Sequence, residues 1–493
     1  MLESLLSGIQ LIASWENLCA LFFGMLGGVV VGALPGLTGA MAITLVLPFT
    51  FYMHPLTSLM LLLGIYKGSM YGGSITAILI RTPGTAAASC TIMDGYPLAQ
   101  QGKAGKALWM ALYASCFADA ISNLSLILFT GAIAGLALRF GPAEFFGLIV
   151  FSLTIVGGLS GQSLLKGLLS ACLGLFLATI GMDLVFGTSR MTFGSTNLMA
   201  GLSFIPVLIG LFAMPQLIKS TWPSQGKQEI QEHLGDDKVT WAEWKRSFKT
   251  IVRGSLIGVV LGAIPGIGAA PAAYLSYSEA KRYSPNKDRF GKGEIEGVAA
   301  AESGNNGVCG ATLIPLLSLG VPGDVTTAVM LGAFMMHNII PGPQLFEEHT
   351  DLVYALYMGI LCSSVFLLIC GWACIRAASK ITRVPSKILF PIILPICIFG
   401  AYSINNSTFD ILVMICMGVV GCLMNAFKFP EAPFLIGFIL GPLFEDNLRR
   451  SLLISHGDPS ILWSTPICWF FIALTVFSIY ITVKNNNPRL KEG

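Results

Sequence analysis

The chain has 493 residues, of which 54% are apolar and 11% charged, and its formal net charge is +3. Soluble domains carry roughly 25% charged residues, so this composition excludes a soluble globular protein. The small positive balance, spread over loops, excludes nucleic-acid binding. What remains is an all-α polytopic membrane protein, with about eleven or twelve membrane elements at roughly 20 residues per crossing, some of them broken.

No Lys or Arg precedes Lys67. A cleavable signal peptide needs a basic n-region, so the N-terminus is expected to be retained. The first apolar runs hold Gly28-Val-Val-Val-Gly32-Ala-Leu-Pro35-Gly36. Proline removes a helix donor and clashes with the preceding turn, and glycine then frees the backbone, so a helix breaks there at membrane depth. Lipid cannot satisfy the polar groups released, so such breaks persist only against protein or a watery cavity. A second break, Arg81-Thr82-Pro83-Gly84-Thr85, follows a Gly- and Thr-rich run, and Pro206 to Pro215 closes the first half. The polar stretch from Lys219 to Arg253, with Trp222-Pro223, Trp241 and Trp244, reads as a linker ending in an interfacial amphipathic helix.

The pattern then returns. Gly258-Val-Val-Leu-Gly262-Ala-Ile-Pro265-Gly266 stands 230 positions after its counterpart, Leu319-Gly-Val-Pro322-Gly323-Asp324 answers the second break, and Pro433 to Pro442 answers Pro206 to Pro215. Three ordered matches mark an internal duplication. The expected organisation is a membrane repeat over 1–218, a linker over 219–250, a second repeat over 251–455, and an extra C-terminal transmembrane helix and tail over 456–493. Twelve cysteines are scattered through apolar segments without a Cys-x-x-Cys pair and read as small buried hydrophobes.

Loop charge gives orientation. The loop after the first break, Phe51 to Leu56, has no Lys or Arg, whereas its counterpart carries Lys281, Arg282, Lys287, Arg289 and Lys292. After the second break the bias reverses, with Lys103 and Lys106 in half one and only acidic residues and His among the charged types from His337 to Asp351. Under the positive-inside rule equivalent loops lie on opposite sides, so the repeats are expected to have inverted topology, with the N-terminus outside and the C-terminus inside. Arg139, Arg190, Arg449 and Arg450 are exceptions on the outside. The flanks of each first break fall on one side, which predicts helical hairpins over Leu18 to Phe51 and Ile251 to Ala280. The second breaks should interrupt crossing helices midway.

A carboxylate at such a place needs donors, and helix N-termini just after a break offer free N–H groups and the positive end of a dipole. The candidate solute shell is therefore Pro35, Gly36, Leu37 and Thr38; Pro83, Gly84 and Thr85; Pro265, Gly266 and Gly268; and Pro322, Gly323, Thr326 and Thr327, with Ser74, Arg81, Asn305 and Asn306 beside it. Threonines in membrane helices commonly bond back to their own backbone, which is the plainer reading of each hydroxyl. Carbonyls before each break suit Na⁺. Ionisable groups at membrane depth, Lys67, Arg81, Asp119, Asp183, Glu302 and Asp324, are functional candidates because each costs a few kcal/mol there. Asp324 repels an anion, so Asp324, Asn306 and Glu302 are assigned to a coupling ion, Na⁺ or a proton. Lys67 is expected either to contact solute or to pair with Glu302.

Three segments carry a resemblance: Gly32-Ala-Leu-Pro-Gly-Leu-Thr38, Tyr71 to Ala87 continued by Met93-Asp-Gly-Tyr-Pro-Leu-Ala-Gln-Gln-Gly102, and Asn305-Asn306 with Leu313 to Thr327 and His337-Asn-Ile-Ile-Pro-Gly-Pro343. They resemble the large membrane subunit, TctA, of the tripartite tricarboxylate transporters. The resemblance implies a bacterial inner-membrane, ion-coupled importer of citrate-like or other small carboxylates. It further implies a small TctB-like membrane subunit and a TctC-like periplasmic solute-binding protein as partners. The chain departs from the family pattern at Arg81, Ser303-Gly304 and Asp324.

Two other classes compete. Val321-Pro-Gly-Asp324 resembles the Gly-x-Gly-Asp signal of membrane aspartyl proteases, but Val stands at 321 and no Tyr-Asp dipeptide supplies a second carboxylate. Neither a His-Glu-x-x-His motif nor a phosphate-binding loop is present, so no enzyme, cofactor or ATP drive is expected. Broken helices also build channel filters, so a passive anion channel, or a carrier of another small organic solute, is the alternative.

Overall fold

The computed structural model describes residues 2–34, 36–159, 163–183, 187–221, 238–381 and 386–486. Helices dominate it. Half one runs α1 (Leu2–Ile12), α2 (Trp15–Gly32), α3 (Gly39–Thr50), α4 (Pro55–Ile80), α5 (Ala88–Gln100), α6 (Ala104–Ala137), α7 (Pro142–Leu159), α8 (Leu164–Ala178), α9 (Phe204–Leu208) and α10 (Met214–Thr221). A two-stranded antiparallel ribbon, β1 (Gly181–Met182) with β2 (Ser189–Arg190), lies between α8 and α9. The remainder runs α11 (Trp241–Gly262), α12 (Ala269–Tyr283), α13 (Ile295–Ala311), α14 (Leu313–Leu319), α15 (Val325–Met336), α16 (Leu345–Glu348), α17 (Thr350–Ile381), α18 (Ser386–Ser403), α19 (Thr408–Ala426), α20 (Glu431–Ile454) and α21 (Pro466–Asn486).

The chain is an all-α membrane protein. Five of the described helices, α2, α6, α17, α19 and α21, are long and apolar enough to cross a bilayer unaided. Six further apolar helices are shorter, Gly39–Thr50, Pro142–Gly158, Leu164–Ala178, Phe204–Ile218, Val325–Met336 and Pro391–Ser403. Between α9 and α10 the interruption is a π-turn, Ile209–Ala213, just before Pro215, whereas α20 runs through Pro442 without a stop. Trp222-Pro223 lies outside the described residues. At the place of the expected amphipathic helix the chain forms the start of α11, which is capped by a Thr240–Glu243 box and continues unbroken to Gly262.

Glycine spacing explains how the first hairpin packs. Gly24, Gly28 and Gly32 of α2 face Leu61, Ile65 and Ser69 of α4, and Gly64, Gly68 and Gly72 of α4 face back onto Leu21, Met25 and Val29. The contacts advance together, so α2 and α4 run parallel and α3 is the return limb. Without side chains at these positions the backbones meet directly; a Cβ on Gly28 would lie 2.8 Å from the Ile65 Cα. In half two, Gly254, Gly258 and Gly262 of α11 meet Ser303, Gly307 and Val308 of α13 in the same parallel sense.

Helix directions across the halves follow from hydrogen bonds. Lys67 of α4 reaches Asn123 of α6 while Tyr71 reaches Leu108, so α4 and α6 are antiparallel. Ser115 of α6 donates to Glu302 while Ser122 meets Gly307 and Gly310, so α6 and α13 are parallel. It follows that α4 and α13 run in opposite directions. Asp94 of α5 ties the halves together at one end, accepting the backbone N–H groups of Gly291, Gly293 and Glu294, each at 2.8 Å, and the Tyr277 hydroxyl at 2.7 Å.

The helices pack as two groups. The first comprises α1–α6 with α11–α17, and the second α7–α10 with α18–α21. They meet along an apolar seam in which α3 and α15 face α9, α18 and α20. Among the described residues two side-chain hydrogen bonds cross it: the Tyr52 hydroxyl to the Ser403 carbonyl at 3.0 Å, and the Gln216 amide to the Gly36 carbonyl.

The two ends of the molecule differ in charge. Gln101 bonds the Lys292 carbonyl and Lys106 pairs with Glu243, which gathers the basic loops at one end. His54 lies near His337 at the other. Cysteines at His54 and Gln344 are expected to react with an impermeant thiol reagent from outside, and cysteines at Gly102 and Asn286 only after the membrane is opened. Equal labelling of all four would remove the opposed-loop arrangement.

Candidate functional site

Helix ends decide the geometry here, and the four Pro-Gly breaks use glycine for two reasons. Gly36 and Gly266 adopt φ of 89° and 84°, a left-handed backbone that side chains resist. Gly84 and Gly323 need space instead. A Cβ on Gly84 would lie 2.7 Å from the Gly73 Cα, and one on Gly323 2.8 Å from the Thr312 Cβ. The breaks of half two are joined directly, Gly266 N–H donating to the Gly323 carbonyl at 2.8 Å.

All four breaks open onto one cavity of about 630 Å³. The first supplies Thr38 and Gly39, the second Thr85 and Ala86, the third Gly266 to Ala269, and the fourth Asp324 to Thr326. Ser69, Met70 and Tyr274 line the same body, and Val156, Phe212, Gln216, Glu431 and Ile436 form the opposite wall, so the cavity lies in the seam between the two helix groups. Thr38 Oγ1 accepts the Met41 N–H and Thr85 Oγ1 accepts the Ala88 N–H, both at 3.2 Å. The Thr38 hydroxyl thereby caps α3, the Thr85 hydroxyl holds the turn that leads into α5, and each keeps its own hydrogen for another acceptor.

Asp324 caps α15. Its Oδ1 accepts the Thr327 N–H at 2.7 Å and the Thr327 hydroxyl at 2.9 Å, and its Oδ2 accepts the Tyr66 hydroxyl at 3.2 Å. Tyr66 Oη is also 3.0 Å from Thr312 Oγ1. A carboxylate and two hydroxyl oxygens thus stand together at the cavity's edge, a donor set suited to a hard monovalent cation.

Other predicted residues lie elsewhere. Pro35 falls outside the described residues. Leu37 is buried next to the cavity-lining Thr38, and Pro83, Pro265, Pro322 and Thr327 belong to the breaks without lining the cavity. Arg81 ends α4 in a left-handed conformation, φ 57°, with its guanidinium over the Tyr96 ring at 5.8 Å, and is not part of the cavity wall. Ser74, Glu302, Asn305 and Asn306 are buried behind the breaks. Glu302 accepts Thr91 Oγ1 at 2.5 Å and Ser115 Oγ at 3.0 Å, and Asn306 donates to Ser115 Oγ at 2.8 Å.

Lys67 does not pair with Glu302. Its ammonium lies 2.8 Å from Asp119, 2.6 Å from Asn123 Oδ1 and 2.9 Å from Ser363 Oγ, with both charged side chains 1% exposed. The rotation of α4 turns Lys67 toward α6 and α17, away from the Glu302 face of α13. Asp183 joins Arg190, Glu445 and Arg449 in an ionic cluster beside a second cavity of about 570 Å³, between the β-ribbon and α20. The described cysteines are free, and Cys370 and Cys374 are buried. Sequence reasoning missed Tyr66, Thr312, Gln216 and Glu431. Tyr66 carried one signal, a polar aromatic next to Lys67 inside an apolar helix.

The sequence profile of the Tripartite tricarboxylate transporter TctA family matches residues 18–436. An Agrobacterium vitis protein described as an uncharacterized 52.8 kDa protein in the TAR-I ttuC' 3'region is 35% identical over 483 residues, covering 98% of this chain and 96% of its own length. A second from the same organism, an uncharacterized protein in the TAR-II ttuC' 3'region, is 36% identical over 226 residues, 46% of this chain and 93% of its own. No solved structure gives a significant match. The profile spans both hairpins and all four breaks, and the chain belongs to the Tripartite tricarboxylate transporter TctA family.

Proposed function

We propose that this transporter subunit is an Na⁺-coupled secondary importer of citrate-like di- or tricarboxylates, built from two inverted repeats. The observation that carries the reading is the convergence of all four breaks on one cavity, because each break presents a helix N-terminus and its free N–H groups to an anion there. Thr38 and Thr85 hold the solute carboxylates with their free hydroxyl hydrogens. Asp324, with Tyr66 and Thr312, holds Na⁺. Arg81, over Tyr96, stands outside that shell.

The seam location supports an elevator-like movement, in which the α1–α6 and α11–α17 group slides against α7–α10 and α18–α21. An apolar interface crossed by few hydrogen bonds costs little to shift, and the Gln216 to Gly36 bond must break as it does. In the bacterial inner membrane, with the N-terminus outside and the C-terminus inside, a TctC-like periplasmic binding protein delivers solute and a TctB-like subunit completes the assembly.

Substitution separates the two ligands. Thr85→Val removes a hydrogen bond to a charged group, worth about 1.5–3 kcal/mol, and is expected to raise the apparent KM for solute roughly tenfold or more with Na⁺ dependence intact. Asp324→Asn preserves shape and deletes the charge, so Na⁺ dependence is expected to weaken or vanish. Arg81→Gln should leave KM nearly unchanged. Uptake titrated in solute and in Na⁺ reads all three, and an Asp324→Asn variant with unaltered Na⁺ dependence moves the ion site elsewhere.

A further inference from the structure

Two buried carboxylates lie along α6, its own Asp119 and Glu302 of α13, and only one has a counter-ion. Asp119 is matched by Lys67 at 2.8 Å. Glu302, 0% exposed, meets α6 one turn earlier, at Ser115, and receives neutral donors only: Thr91 Oγ1 at 2.5 Å, Ser115 Oγ at 3.0 Å and Asn306 Nδ2 at 3.4 Å. No salt bridge reaches Glu302 among the described residues. The titratable groups facing it are Tyr71 of α4 and Cys90 of α5, with Cys116 and Asp119 farther along α6. Toward α13, helices α11 and α12 present Gly254, Gly258, Ala272 and Ser276, and the Tyr277 hydroxyl is committed to Asp94.

Two further buried polar side chains adjoin the same carboxyl. Ser74 Oγ and the Asn305 amide are fully buried and turn to Glu302, each short of a hydrogen bond of good geometry. A lone carboxylate at this depth is expensive. A carboxylic acid is not, and its O–H supplies the donor that Asn305 Oδ1 lacks. From the cavity-lining Thr85, Thr91 lies within two turns along the chain, which links the carboxyl to the site.

We propose that Glu302 is the seat of a coupling proton, taken up and released with each transport cycle and separate from the Na⁺ held by Asp324. The proton adds to a carboxylate oxygen on one side of the membrane and leaves to water on the other, with no change in oxidation state. The proposal rests on the transport reading above.

The test uses the full chain reconstituted with its small membrane subunit and binding protein, with citrate as probe. Wild-type vesicles are expected to accumulate citrate when a pH gradient is imposed and to exchange internal for external citrate without one. Glu302→Gln is expected to lose gradient-driven accumulation by tenfold or more while keeping exchange, because exchange needs no proton release. Thr91→Val removes one donor from the carboxylate without touching the charge, and should move the pH profile of accumulation upward by about one unit. Accumulation by Glu302→Gln that follows the pH gradient as wild type does, or an unmoved profile in Thr91→Val, overturns the proton assignment alone. Wild-type vesicles that move no citrate overturn the transport reading and this proposal with it.

Discussion

Replacing Lys67 by Met is expected to destroy the folded protein rather than to tune its transport. The substitution leaves Asp119 charged, 1% exposed and without its counter-ion, and removing one partner of a buried pair costs about 3–5 kcal/mol. Asp119→Leu should be equally damaging, because the stranded ammonium then has only Asn123 and Ser363. The double substitution Lys67→Met with Asp119→Leu removes both charges and should recover most of the folded yield, since apolar replacement of a buried pair is commonly neutral. Monodisperse elution in detergent measures this. Singles that fold as well as wild type would show that the pair contributes nothing to the fold.

Gly84→Ala should abolish uptake where Gly36→Ala only weakens it, although both glycines follow a proline. An alanine Cβ at 84 would meet backbone at 2.7 Å, the Gly73 Cα, and the break cannot close onto α4 without displacing it. At 36 the nearest neighbour is the Gln216 amide at 3.5 Å, so the penalty is the left-handed φ of 89°, about 1–2 kcal/mol. Membrane insertion should survive in both, because the apolar runs are unchanged. Uptake per folded molecule checks the contrast, and equal activity in the two variants would remove the close approach of Gly84 from the mechanism.

The breaks were legible because proline and glycine act locally: each Pro-Gly interrupts the helix that carries it whatever the tertiary context. Gly24, Gly28 and Gly32, four residues apart, likewise mark a close-packed helix face in sequence alone. Which face a polar residue occupies is another matter. In sequence Lys67 is free to meet solute or to pair with Glu302, and a rotation of α4 by a fraction of a turn selects Asp119 instead. Arg81 looked like an anion ligand from its place in the chain, yet it ends α4 in a left-handed turn with its side chain over Tyr96. Gln216 and Glu431 reach the cavity from helices far away in sequence, and no local pattern marks them. Of the outside exceptions to the positive-inside pattern, Arg190 and Arg449 are tied to Asp183 and Glu445.

On the proposed reading the seam cavity carries a carboxylate across the membrane at the expense of an ion gradient. Uptake of labelled citrate into vesicles holding the chain, its small membrane subunit and its binding protein tests it, with and without an imposed Na⁺ gradient. The expected result is saturable uptake that needs the binding protein, accumulates solute above its external level, and collapses when the gradient is dissipated. Unitary currents in planar bilayers, with citrate flux that neither saturates nor accumulates, would contradict it and make the chain a passive anion channel.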